Sequence, residues 1–512
     1  MRIPFEPREP IVRLRNFTPK AYDDAIAAAR TCYSMDVVEA SSITERQRDS
    51  IGPLTFNAGH HTVYQHATFE FSLENVSRQF IWSVLHSFPF YNSDQQSQRY
   101  VRIHEIRAFT PPLEGPALAT YRDAIVRAFE TYQELGEILK EDTVRIMGEI
   151  RHLDRHPHER LRKGVMREAD KKAIEIARYV LPIATYASLV YTCSGLVLHR
   201  LWRLMNTGDV PFEAAQVISK MIQAAKGVDP DFFRKIGEEP MERESLLEAS
   251  LLRDLPDADP AFDRDFSNHR FAKLLDCTRD AKRVLATSIR YALGGRTGSL
   301  TDDDLVDLAL NPKRNPYRVE TVNLAAHSPV MRSLQNVHYT FVKRLSHSAD
   351  SQNQRHRMVP GSRPFLQFTD TAAPDYYTPM LIERNARARE IYDRFMGEVW
   401  EAKNRLVDAG VPIEFAQYVL PNAANVRFVE SGSLMHLMHK WTLRTCLNAQ
   451  EEIFNASMEE IGQVVAAHPF LASYIGPPCV IRNGVVSPKC TEGDRFCGIP
   501  VWQSFPNVSR RL

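Results

Sequence analysis

The chain has 512 residues, with 64 Lys and Arg against 63 Asp and Glu, 44% hydrophobic residues and 25% charged ones. These are the proportions of an ordinary globular protein of about two to four domains, and they exclude a disulfide-stapled miniprotein, a collagen and a disordered chain. A formal charge of +1 gives no global attraction to a nucleic acid polymer or an acidic membrane, so partners must be argued from local sites.

Along the chain, the opening MRIPFEPREP has no apolar signal-peptide core, and seven cysteines are too few for a disulfide framework, so a cytoplasmic protein with reduced thiols is expected. Residues 12–19 (VRLRNFTP) alternate like a half-buried strand, and the Ala-rich spacing of residues 21–33 predicts a helix. Residues 67–73 (ATFEFSL) read as a second strand, while residues 121–149 and 385–409 carry apolar residues at helical spacing. Residues 179–198 carry no charge over the roughly 20 residues that a membrane span requires. They include Pro182 and three tyrosines and run into His199, Arg200 and Arg203, so a buried core segment is the better reading.

The sequence repeats itself. Residues 12–19 match 272–279, with Leu14 falling on Leu274, and residues 73–80 match 334–341, with Asn75 on Asn336. Residues 92–100 (NSDQQSQRY) match 348–356 (SADSQNQRH), ARYVLP at 177–182 matches AQYVLP at 416–421, SGLVLH at 194–199 matches SGSLMH at 431–436, and Ala215-Gln216 matches Ala449-Gln450. Matches in preserved order predict a tandem duplication of one domain of roughly 230 residues. The expected division is a first repeat over 1–237, an acidic, Pro-rich linker over 238–265, a second and more divergent repeat over 266–475, and a Cys-containing tail over 476–512.

GHHTVYQHATFEFSLENVSRQF (59–80), SDQQSQRY (93–100), ARYVLP, the later Ala-Gln pair and the opening LRNFTP…AAARTCYS (14–34) together resemble the flavin-dependent thymidylate synthases, where the same elements come in the same order. The likeness is strong in the first half and thinner in the second, where HSPVMRSLQNV (327–337) and GSLMHL (432–437) are the clearest pieces. The resemblance implies an α+β fold, two tandem thymidylate synthase-like domains that are each a mixed sheet packed with helices, helix-rich overall. It also implies active sites between subunits, so that a duplicated chain would dimerise into a four-domain assembly. The implied activity is methylation of dUMP to dTMP, with methylenetetrahydrofolate giving the carbon, reduced FAD the hydride, and NADPH re-reducing the flavin. The implied chemistry uses no cysteine nucleophile.

Carried over residue by residue, the resemblance assigns Ser97, Gln98 and Arg99 to the Ser-x-Arg-Tyr phosphate clamp, Arg178 to an arginine reaching the nucleotide, and Gln79 to the Arg-Gln pair ahead of the signature. Arginine suits this task because its guanidinium makes short, charge-assisted bonds to phosphate. Arg444, ahead of Ala449-Gln450, fits the family's Arg…Ala-Gln spacing. On the flavin side, His60 and Thr62 match a His-x-Ser/Thr pair, Cys32 a position near FAD, and His199 and His436 a polar position beside the flavin ring. The plainer readings are interdomain salt bridges for the arginines and satisfied core positions for the histidines and the cysteine.

The departures are large. Trp82-Ser83-Val84 and Lys343-Arg344-Leu345 stand where this alignment puts the family's flavin-holding Arg-His-Arg, and residues 87–91 (SFPFY) look like an insertion. The clamp's second-half counterparts are Asn353, Gln354, Arg355 and Gln417, which makes the spelling Arg355-His356-Arg357 a coincidence. The family's Asn-x-Arg becomes Cys193-Ser194-Gly195 and Glu430-Ser431-Gly432. One functional type of site per pair of halves, centred on Arg99, is therefore expected. The alternative is a catalytically degenerate nucleotide-binding or structural paralogue that has lost flavin. In the tail, Cys479, Cys490 and Cys497 with His468 have the ligand count for zinc but no Cys-x-x-Cys knuckle, so ordinary reduced cysteines are the plainer reading.

Overall fold

The computed structural model describes residues 7–88, 90–155, 158–235, 239–253, 259 and 261–512, the side chains of 252 and 253 excepted. The first six residues, Pro89 of the suggested insertion and parts of the acidic connector lie outside them.

Two four-stranded sheets form, in the order β1-β2-β4-β3 and β5-β6-β8-β7. The first holds β1 (Ile11–Phe17), β2 (Thr68–Ser77), β3 (Tyr91–Gln95) and β4 (Tyr186–Ser194), and the second β5 (Ala272–Cys277), β6 (His338–Ser346), β7 (Gly361–Ser362) and β8 (Asn425–Ser433). The α+β class with two tandem sheet-and-helix units is what the chain adopts. Every pairing is antiparallel, so the sheets are not mixed in strand direction. Alternation puts Phe69, Phe71 and Leu73 of β2 on one buried face. The uncharged segment at 179–198 supplies β4, interior to its sheet, and no helix of the described residues is long and apolar enough to cross a membrane.

The helix Gly115–Ile150 starts with proline in its first turn, and its buried stripe (Tyr121, Ile125, Phe129, Tyr132, Leu135, Leu139) packs on the helices Glu159–Ala177 and Ala386–Asp408. One apolar core runs through both halves. At its seam the two Tyr-Val-Leu-Pro segments pair by backbone. Ile183 N–H donates to Leu420 O (2.9 Å), Asn422 N–H to Leu181 O (2.8 Å), and Pro182 bridges Pro421.

The sheets correct the repeat alignment. Leu14 lies opposite Phe71 and Leu274 opposite Phe341, with a bulge just after each, so that first match holds. Ser77 and Ser346 are the equivalent residues that end β2 and β6. Each caps the next helix, Ser77 accepting from Phe80 N–H (2.8 Å) and Ser346 from Ala349 N–H (3.0 Å). Residues 73–80 therefore do not correspond to 334–341, which run from the short 3-10 helix Ser333–Asn336 into the start of β6. Residues 92–100 begin on β3, whereas 348–356 begin inside the helix His347–Asn353, whose counterpart is the helix Arg78–Ser87. Ser194 and Ser433 are likewise equivalent, opposite Thr68 and His338, which places His199 level with Met438 rather than with His436. Short look-alike strings cannot choose between registers a few residues apart; the hydrogen-bond ladder and the caps can.

Candidate active site

Counting from the capping serines, Arg355-His356-Arg357, just past the helix His347–Asn353, falls level with His86-Ser87-Phe88 at the end of the helix Arg78–Ser87, and Trp82-Ser83-Val84 falls level with Ser351-Gln352-Asn353. Lys343, Arg344 and Leu345 are strand residues of β6. Arg355-His356-Arg357 is therefore not the counterpart of the clamp's Arg99-Tyr100, as the string comparison reads it, and the second-half counterparts of Trp82-Ser83-Val84 carry no cation either. The clamp's true second-half counterparts follow β7 and include Phe365 and Gln367, neither of them cationic.

A cavity of about 730 Å³ lies between the halves, within the usual range for small-molecule sites. The first half contributes Arg99 and Tyr100 from the turn after β3, and the second contributes the triplet, Met358 and Val359. The helix Leu434–Arg444 adds His436, His439 and Arg444, and the tail adds Glu492. Four arginines against one carboxylate make this an anion site. Arg444 is pushed down to about 10 by burial and by the neighbouring charges of Arg99 and Arg355. Its Nε donates to His356 Nε2 (2.8 Å) and its Nη2 to Gln352 O (2.9 Å). Burial, reinforced by Arg444, also lowers His356 and His439, so both imidazoles are neutral near pH 7. His436 Nδ1 is held by Ser433 Oγ at 2.9 Å. The outer arginines lean on β3 of the other half, Arg355 on Asp94 and Arg357 on Asn92 (3.2 Å each), in exposed contacts.

Of the residues singled out in the sequence, Arg99, His436 and Arg444 line the cavity. Ser97 sits beside Arg99 and accepts from its backbone N–H at 3.2 Å. Gln98 and Arg178 are buried behind the wall, joined through Asn422, whose Nδ2 donates to Gln98 Oε1 (3.1 Å) and Arg178 O (3.0 Å). Gln79 is not a lining residue; buried at the seam, its Nε2 donates to Asp209 (2.5 Å) and its Oε1 contacts His347 Nε2 (2.9 Å). Cys32, His60, Thr62 and His199 do not line the cavity either. Cys32 is exposed, and His199 is a core histidine among Phe56, Phe232 and Phe233 with Nε2 on Phe232 O (3.0 Å).

The zinc alternative fails. Among the described residues no group of three or more His, Cys, Asp and Glu is placed to hold a metal ion. His468 is taken by the Tyr339 hydroxyl in the second-half core (2.9 Å), and Cys479 and Cys497 pack against apolar side chains. All seven cysteines are free. His439 and Glu492 were not foreseen; Tyr100 closes the Ser-x-Arg-Tyr string and His356 stands in the Arg-His-Arg spelling, the two sequence signals that could have pointed to them.

A family model described as Thymidylate synthase complementing protein matches residues 13–231 and 273–470. Among similar proteins, the flavin-dependent thymidylate synthase of Sulfurisphaera tokodaii is 28% identical over 222 residues, covering 42% of this chain and 80% of that protein. That of Nitratidesulfovibrio vulgaris is 32% identical over 184 residues, covering 34% and 73%. A solved UMP/dUMP methylase from Streptomyces cacaoi aligns over 45% of this chain and 96% of its own at 19% identity and a TM-score of 0.32, too low a likeness for anything about this chain's reaction to follow.

Proposed function

The chain belongs to the Thymidylate synthase complementing protein family, and from that premise we propose that it is a duplicated flavin-dependent thymidylate synthase of the cytoplasm. It methylates dUMP to dTMP with methylenetetrahydrofolate, NADPH and FAD. The observation that carries this reading is the pooling of two half-sites. The first half supplies the Ser-x-Arg string and the second an Arg-His-Arg string, and one cavity brings Arg99 and Arg355-His356-Arg357 together.

The donor set fits a dinucleotide and a nucleotide phosphate side by side. Arg355 and Arg357, whose present partners are exposed and readily exchanged, would hold the FAD diphosphate, and His436 and His439 offer polar groups without adding charge. Bound and reduced, FAD supplies the hydride. Ser97, Arg99 and Arg444 hold the nucleotide phosphate, with Arg178 and Gln98 behind them. The apolar neighbours Met358, Val359 and Leu443 limit water at the pyrimidine. The same reading takes 1–237 and 266–475 as the repeats, and a homodimer of two 58.6 kDa chains as the four-domain assembly.

The test is an absorption spectrum after FAD addition and desalting, followed by NADPH oxidation with and without dUMP. A retained flavin band and oxidation that requires dUMP are expected; neither appearing overturns the reading and favours a degenerate paralogue.

A further inference from the structure

Glu175 sits where four cations meet. Arg99 reaches it from the cavity wall (Nη2 to Oε2, 3.2 Å) and Lys172 from one turn earlier on the same helix (3.3 Å), while Arg178 and Arg510 also act on its charge. Burial pushes the Glu175 carboxyl up, but the four cations outweigh it and hold it at about 2. The other nearby carboxyls are committed. Glu451 accepts from the Tyr377 hydroxyl (2.6 Å) and Met380 N–H (2.9 Å), and Glu452 from Ser346 and Tyr179.

The excess positive charge is not solvated, because Arg178 is 4% and Arg510 9% exposed. Among the described residues, Arg178 Nε and Nη2, Arg510 Nε and Nη1, and Gln98 Nε2 have no hydrogen-bond partner. These groups share one place. Arg99 and Arg510 donate to consecutive backbone carbonyls, Asn448 O and Ala449 O (2.7 Å each), both residues line the cavity, and Asn422 ties Arg178 to Gln98. Buried donors in native proteins are paired, and a set made only of donors and cations lacks an anion with several acceptor oxygens. Arg510 belongs to the tail, beyond both segments that the family model matches.

Resting on the nucleotide reading above, we propose that Arg510 is a further substrate-binding residue, delivered by the C-terminal tail to complete with Arg99 and Arg178 a clamp on the phosphate of a nucleoside monophosphate. The tail's course suits that delivery: Glu492 meets Asn448 at the cavity (3.0 Å), and next to Arg510 the side chain of Arg511 pairs with Glu149 of the helix Gly115–Ile150.

Full-length Arg510→Gln and Arg510→Lys proteins are titrated calorimetrically with dUMP, deoxyuridine and inorganic phosphate. Arg510→Gln is expected to weaken dUMP about 10- to 100-fold, leave deoxyuridine within about twofold, and leave the ligand-free melting temperature equal or higher, since a desolvated cation with two unpartnered donors is gone. Arg510→Lys restores most of the affinity and carries the test should the glutamine variant misfold. Equal weakening of dUMP and deoxyuridine, or dUMP affinity within twofold of wild type, overturns the proposal and leaves the thymidylate synthase reading standing. Phosphate binding that depends on Arg510 without any dUMP binding supports the clamp and overturns that reading instead.

Discussion

Tyr179 of the first half donates its hydroxyl to Glu452 of the second at 2.8 Å, and Tyr418 of the second returns the contact to Glu213 of the first at 2.5 Å. Each carboxylate also accepts from the serine that ends a strand, Ser346 or Ser77, through both N–H and hydroxyl. The halves thus lock each other through the same buried hydrogen-bond set made twice, next to the helices that carry the site.

This lock has a pH signature. Burial pushes the carboxyls of Glu213 and Glu452 up to about 7, although their hydrogen bonds pull the other way. Between the unfolded value near 4.3 and the folded value, the native state binds the extra proton, so each group's contribution to stability falls as pH rises through that window. Against Glu452→Gln, which mimics the protonated form, the wild type should lose roughly 3 kcal/mol of relative stability between about pH 4.5 and pH 7.5. Urea unfolding across that range checks it; a flat difference means the carboxyl is already ionised in the folded protein at low pH.

On the proposed reading Arg99 sets the nucleotide clamp. Arg99→Ala should weaken dUMP by about two orders of magnitude, and Arg444→Ala by about one, at the roughly 1.5–3 kcal/mol of a hydrogen bond to a charged group. Calorimetric titration measures both. Affinity unchanged in Arg99→Ala would remove this cavity from nucleotide binding.

The triplet should act in one half alone. Arg355→Ala together with Arg357→Ala should strip FAD on desalting while dUMP still binds, and His86→Ala should leave flavin content unchanged. Flavin absorbance per chain decides, and loss of flavin in His86→Ala would mean that the first half keeps a second flavin site.

A buried charge network holds the second half. Lys343 and Lys440, fully buried, pair with Glu460 (2.5 Å and 3.1 Å), and Glu430 contacts both lysines. Trp441 Nε1 also donates to Glu460 at 2.7 Å. Glu460→Gln would leave two buried ammonium groups facing one carboxylate and should cost about 3–5 kcal/mol in unfolding free energy. A loss under about 1 kcal/mol in urea unfolding would mean that the network relaxes around a neutral partner.

The sequence by itself determined the α+β class, the duplication and the strand–helix opening of each repeat, and it pointed to Arg99, which lines the cavity, because periodicity, composition and the Ser-x-Arg string are local properties of the chain. Register was not local. That Arg355-His356-Arg357 is not the counterpart of the clamp depends on which residue of β6 faces which residue of β8, and on Ser346 capping the following helix. Only the folded sheet decided that, since a slip of a few residues costs nothing in a string comparison and breaks a whole ladder of hydrogen bonds in a sheet. The approach of Arg510 to Arg99, across more than 400 residues of chain, was likewise decided by packing alone.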